Sequence, residues 1–212
     1  MQVAIPLFPR FTALDAVGPY EVLQRLPDVE PVFVAEQRGE VRTENGFLGM
    51  IADATFAEVP APEVVVVPGG LGTRVLLEEN PLLAWLRAVH PGTRYTTSVC
   101  TGTLLLAAAG LLDGLTATTH WAATDTLEEL GAVPVRQRVV EHLPERIVTA
   151  AGVSSGIDMA IRLVALLEDD VAAQATQVFI EYDPEPPFDA GHPSKVGDDV
   201  MARVQQFREA RH

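Results

Sequence analysis

Apolar positions along the chain fall into short continuous runs that alternate with stretches of helical spacing. Gln2–Phe8 reads as a first strand, followed by a helix over Gly18–Leu26 with Pro19 in its first turn, where the missing N–H costs nothing. Pro31–Ala35 reads as a second strand. Val41–Ala52 contains Glu44-Asn45-Gly46, a turn signal between two extended pieces, and predicts a β-hairpin. Val64–Val67 is four valines in a row, the pattern of a parallel strand covered on both faces. Asn80-Pro81 supplies an N-cap and first-turn pair for a helix to about Val89. Arg94–Val99 is the next strand, ending at Cys100. Leu104–Leu112 is almost wholly apolar and predicts a buried helix. Trp121–Leu130 is an amphipathic helix closed by Gly131. Val133–Val140 and Arg146–Ala150 are extended. Ser155–Leu167 is helical, and Asp169-Asp170 caps a last long helix to about Ile180.

Strands alternating with helices of this length predict an α/β fold, a mostly parallel sheet with helices on both faces. Asp183-Pro184-Glu185-Pro186-Pro187 breaks the pattern, and a polar tail with a weak helix near Asp198–Arg208 follows. The expected organisation is one domain over residues 1–193 and a C-terminal tail with a short helix over 194–212. At 212 residues the chain fits one such domain against a prior of roughly 150 residues per domain.

Composition narrows the function more than the fold. With 48% hydrophobic and 21% charged residues, the chain is of ordinary globular type. Fifteen Lys and Arg against 29 Asp and Glu give a net charge of −14, which argues against nucleic acid as a partner. One cysteine excludes an intramolecular disulfide framework and fits a reducing, cytoplasmic setting. The N-terminus lacks a basic region and carries Pro6 and Pro9, so no signal peptide is expected. The longest uncharged stretch, Tyr95 to Leu112, is too polar in its first half to span a membrane.

Cys100 is the first chemical candidate. It sits between an apolar strand and a helix, with Ser98 and Gly102 two positions to either side, as a nucleophile elbow requires. Such a turn is expected to expose the sulfur above the strand ends, where a helix N-terminus favours the thiolate. A buried structural cysteine is the plain alternative. Gly69-Gly70 ends the valine strand and is either a tight exit turn or a backbone cradle beside the nucleophile. Asp15 is either an N-cap or a carboxyl group facing the thiol, in which case the pair holds one proton between them. Glu21 is a weaker candidate for the same task. Of five histidines, His120, next to Trp121, stands in a suggestive place, although a helix-start histidine satisfies the pattern equally. Spacing for a metal site or a nucleotide loop is absent.

Thr97-Ser98-Val99-Cys100-Thr101-Gly102, Ala109-Gly110-Leu111-Leu112-Asp113-Gly114 and Ala117-Thr118-Thr119-His120-Trp121 resemble the ThiJ/PfpI superfamily. Leu14-Asp15 with Gly18-Pro19, Val67-Pro68-Gly69-Gly70, the run Gly152 to Asp158, and Glu181 to Gly191 are most similar to its isonitrile hydratase branch. The resemblance covers roughly residues 1–193. It implies a flavodoxin-like three-layer sandwich of the class I glutamine amidotransferase type, assembled as a homodimer. It also implies hydration of an isonitrile to an N-substituted formamide without a cofactor or metal. By position, Cys100 is then the nucleophile and Asp15 the general acid/base, with Thr101 beside them. Thr101 and Gly70 then supply N–H or hydroxyl contacts, and Gly69 and Val153 are further candidates for substrate or oxyanion-type contacts. Apart from the resemblance, apolar Phe11, Trp121 and Val153 are candidate pocket walls, with His120 beside Trp121.

Neighbouring branches fit less well. The PfpI protease-like branch carries His directly after the cysteine, where this chain has Thr101, and the His-x-Glu of the glutamine amidotransferases is not found. AraC-type regulators share the Cys-Thr-Gly motif and add a helix-turn-helix region. A non-catalytic small-molecule or redox sensor that uses Cys100 is the alternative reading.

Overall fold

The structure, a computed structural model, describes residues 1–210. The chain divides into one unit over Met1–Ile180 and another beginning at Glu181. In chain order the first unit holds β1 (Gln2–Pro6), α1 (Ala13–Leu23), β2 (Glu30–Ala35), β3 (Gly39–Arg42), β4 (Gly49–Ala52), β5 (Ala54–Thr55) and β6 (Val64–Val67). Next come α2 (Pro81–Val89), β7 (Tyr95–Val99), α3 (Gly102–Ala108), β8 (Thr116–Ala117), α4 (Thr124–Glu129) and β9 (Val133–Pro134). β10 (Val139–His142), β11 (Ile147–Ala150), α5 (Ser155–Leu167) and α6 (Asp170–Phe179) complete it.

Seven strands form one sheet in the order β10-β11-β7-β6-β1-β2-β5, parallel except for the β10–β11 pair. The β-branched runs dictate this arrangement. Val64 to Val67 and Val3 to Ile5 are fully buried on both faces, which only helices covering the sheet can provide. Each valine and isoleucine among them contributes about 1.5–3 kcal/mol by leaving water. α1 packs on α5 and α5 on α6, while α2, α3 and α4 form a second packed group, giving the flavodoxin-like layered α/β fold. The buried hydrophobic cluster runs from Val3 to Ala173 and lies wholly within this unit.

Several local signals act as expected. Asn80 Oδ1 caps α2 by accepting from the N–H groups of Leu82 (2.9 Å) and Leu83 (3.2 Å), and Asp169 caps α6 through Ala172 N–H (2.8 Å). β3 and β4 pair antiparallel around the Glu44-Asn45-Gly46 turn. Three helices differ from expectation. The one expected over Trp121–Leu130 is a 3-10 turn at Trp121–Ala123 followed by α4. α3 stops at Ala108 rather than Leu112, because Gly110 adopts φ 75° and its N–H closes on Ala107. α1 begins at Ala13 rather than Gly18, placing Pro19 inside the helix instead of in its first turn. Gly18 makes that possible. Without Cβ it takes the helical conformation that a side chain before proline resists, and a Cβ there would lie 3.1 Å from Ile157 Cγ1 on α5.

The second unit contains a short turn at Pro193–Lys195 and α7 (Asp198–Glu209), with no buried residue in the helix. Its Pro-rich start, residues 183–187, has no regular structure. No helix among the described residues is long and apolar enough to cross a membrane.

Candidate active site

Open α/β sheets take ligands at the carboxyl ends of their strands, where the winding order reverses. Here the chain leaves β1 toward β2 on one side and reaches β6 on the other, so the reversal lies between β1 and β6. Asp15 follows β1, Gly69 follows β6 and Cys100 follows β7. The parallel topology brings all three to that crevice.

Cys100 takes φ 58° in the turn between β7 and α3, a left-handed conformation unusual for a side-chain-bearing residue. The surroundings hold it there. Its N–H is shared between the carbonyls of Ala150 (3.1 Å) and Ala151 (3.0 Å), and its carbonyl accepts from Thr119 Oγ1 at 2.8 Å. Two residues on, Gly102 starts α3 so close to β6 that a Cβ would lie 2.2 Å from the Val67 carbonyl. Behind the turn, Ser98 and Thr103 share a hydroxyl hydrogen bond of 2.9 Å, and Thr103 Oγ1 donates to the Thr118 carbonyl. This buried hydroxyl network was not foreseen, although the Thr96-Thr97-Ser98 and Thr118-Thr119 runs are its trace in the sequence.

Two expectations for the sulfur are corrected. Cys100 is buried, with only 5% of its surface exposed, because β11 and the loop after it close over the turn. The thiol is also not poised as a thiolate. Burial first, and the Asp15 charge second, push its pKa well up. The N–H groups of Val153 and Thr101 act in the opposite sense by donating to the sulfur.

Asp15 is not the N-cap of α1; Thr12 holds that position, and Asp15 lies in the first turn with no exposed surface. Its Oδ2 accepts from Gly69 N–H at 2.9 Å, and Oδ1 is buried without a hydrogen-bond partner. Burial raises the carboxyl from 3.8 to about 7, opposed by the Gly69 N–H and the Cys100 thiol and assisted by the Glu44 carboxylate. Thiol and carboxyl thus both resist ionising: the pair holds two protons below about pH 7 and shares one above it.

Gly69 and Gly70 shape this crevice. A Cβ on Gly69 would lie 2.5 Å from Thr101 N and 2.9 Å from Asp15 Oδ2, so only glycine admits both. The Gly69 N–H is taken by Asp15 and the Gly70 N–H by Thr101 Oγ1 (2.8 Å), which donates back to the Gly70 carbonyl at 3.1 Å. Backbone donors toward the sulfur therefore come from Thr101 and Val153. Val153 sits at φ 29°, a second strained position at the site. His120 packs on the glycine just before it; a Cβ on Gly152 would meet the ring at 2.7 Å. The His120 Nδ1 accepts from Ala122 N–H, and Trp121 packs against its ring at 5.3 Å. Glu21 is occupied further along α1, accepting from Gln24 and Arg25. Among the described residues, no group of three His, Cys, Asp or Glu side chains could hold a metal.

The family model of the DJ-1/PfpI family matches residues 1–166, and the chain belongs to that family. A relative from Pseudomonas putida named isonitrile hydratase is 44% identical over 206 residues, covering 97% of this chain and 89% of its own. The transcriptional regulator CdhR from Pseudomonas aeruginosa is 36% identical over 145 residues, covering 67% of this chain and 42% of its own. Among solved structures, a ThiJ/PfpI family protein from Pseudomonas syringae superposes with a TM-score of 0.91 at 35% identity, covering 99% of this chain and 87% of its own.

Proposed function

We propose that this chain is an enzyme that hydrates an isonitrile, R–N≡C, to the N-substituted formamide, with Cys100 as nucleophile and Asp15 as general acid/base. The observation that carries the reading is the buried Cys100–Asp15 pair, found in a chain so similar over its length to the Pseudomonas putida hydratase. An isonitrile carbon accepts a nucleophile and a proton on the same atom. Cys100 Sγ forms the C–S bond, its proton passes through Asp15 to the carbon, and the thioimidate R–N=CH–S–Cys results. Water then attacks that carbon with Asp15 as base, and Asp15 passes the proton on to the nitrogen, giving R–NH–CH(OH)–S–Cys. The C–S bond breaks, the sulfur regains its proton, and R–NH–CHO leaves. The net change is addition of one water.

The Thr101 and Val153 N–H groups favour negative charge on sulfur as it attacks and departs, which is their role in this nucleophile elbow. Gly69 and Gly70 act one step back, orienting Asp15 and Thr101. His120, Trp121 and Val153 border the substrate side, with Phe11 beneath the loop after β6. In this scheme the residues present suffice without a cofactor or metal. The proposed setting is the cytoplasm, and the proposed assembly is a homodimer that covers the exposed apolar side chains Leu14, Phe47 and Leu48.

A sensor reading draws on the similarity to CdhR. A time course with cyclohexyl isonitrile separates the two. Formamide appears with the native protein, is lost in Cys100→Ala, and falls by about 10²–10⁴-fold in Asp15→Asn. Folded protein that makes no formamide would remove the hydratase reading.

A further inference from the structure

Glu44 stands in the turn of the β3–β4 hairpin, far in sequence from every other group at the site. Its Oε1 accepts two hydrogen bonds, one from Thr12 Oγ1 at 2.9 Å and one from Leu71 N–H at 3.0 Å. Thr12 opens the helix that carries Asp15, and Leu71 follows Gly69-Gly70 directly. The Glu44 N–H also donates to the Phe11 carbonyl at 3.1 Å, and Phe11 bridges to both Thr43 and Gly70. One carboxylate therefore ties together the hairpin, the start of α1 and the loop after β6, the last two being the segments that hold Asp15. Glu44, Phe11, Thr12, Phe47 and Leu48 also line a cavity of about 300 Å³ beside them.

We propose that Glu44 is a positioning residue of the site, clamping the two segments that hold Asp15 and opposing, by its charge, ionisation of the Cys100–Asp15 pair. This rests on the reading of Cys100 and Asp15 as a proton-sharing pair. The charged groups on neighbouring elements are Arg10 before α1, Arg74 after Gly70, Glu21 on α1, Asp158 on α5 paired with Arg138, and His120. The charge that acts on Asp15 is that of Glu44, whereas Cys100 acts on it through a hydrogen bond. A like charge disfavours ionisation of the pair, so the site releases its first proton at higher pH with Glu44 than without it.

Two variants separate charge from clamp. Glu44→Gln keeps a side-chain oxygen that can accept from Thr12 and Leu71 but removes the charge, whereas Glu44→Ala removes both. The rate of Cys100 alkylation by iodoacetamide, followed from pH 5 to 9, reads the pair without any isonitrile, and Asp15→Asn identifies the step that belongs to it. The expected result is a midpoint lowered by about half a pH unit in Glu44→Gln, with alkylation at pH 6 about two- to three-fold faster. Glu44→Ala lowers the midpoint likewise and, through the lost clamp, reduces kcat for formamide by about ten-fold with little change in KM. A Glu44→Gln midpoint that coincides with the native one overturns the proposal, and this test holds even if Glu44→Ala fails to fold. A native profile without an Asp15-dependent step instead overturns the proton-sharing pair itself, and formamide assays of the same samples show which reading has failed.

Discussion

At the scale of single residues, the site is held in a state that costs stability. Burial raises the Asp15 carboxyl from 3.8 to about 7. Between those values the folded protein holds a proton that the unfolded chain has released, so stability falls as pH climbs from about 3.8 to 7 and is level above that. The contribution is on the order of 4 kcal/mol over the whole interval. Asp15→Asn has no such titration, and its side-chain oxygen can still accept from Gly69 N–H. Urea unfolding at pH 5 and pH 8 should therefore show the native protein losing roughly 2–3 kcal/mol more than Asp15→Asn between the two. Equal losses would mean that the carboxyl is not held protonated in the fold. The same residue shows where the sequence is ambiguous: an aspartate near a helix start reads as a cap, and only the register of α1 reveals Thr12 in that place and Asp15 turned toward Gly69.

At the scale of elements, strands and caps with strong local chemistry are legible. The four valines of β6, the Asn80 cap and the hairpin turn each state their structure within a few residues. What a single segment does not state is what other segments bring to it. The burial of Cys100 depends on β11 and the loop beyond it, and Glu44 joins the site only because the hairpin folds over the start of α1. Gly69 and Gly102 belong to the same class. The elbow pattern marks Gly102 and the strand exit marks Gly69 as small positions, but their neighbours Val67 and Thr101 come from other elements, so the sequence does not say what they fit against. Gly102→Ala places a methyl 2.2 Å from the Val67 carbonyl, and the α3 start must move away from β6. Loss of about 1–3 kcal/mol in denaturant unfolding is expected, along with loss of Cys100 reactivity. Unchanged stability would show that the junction gives way more easily than its packing suggests.

At the scale of the molecule, the core and the site belong to one unit. The hydrophobic cluster ends at Ala173, and the family match ends at residue 166. A chain ended at Ile180 is expected to unfold cooperatively with a midpoint within a few degrees of the full chain, since a loss of 1 kcal/mol moves Tm by about 2–4 °C at this size. A broad or absent transition by circular dichroism would show that the residues after Ile180 are needed to complete the fold.

One feature of that unit bears on how the chemistry can be watched. Cys100 is the only cysteine in 212 residues. Addition of its S–H across an isonitrile carbon expels nothing, so a protein stopped at that stage is heavier by the whole mass of the isonitrile. Oxidation adds oxygen alone, and a haloacetamide loses its halide. Each chemical history of the thiol thus carries its own weight, and whole-protein mass spectrometry can tell them apart without cutting the chain.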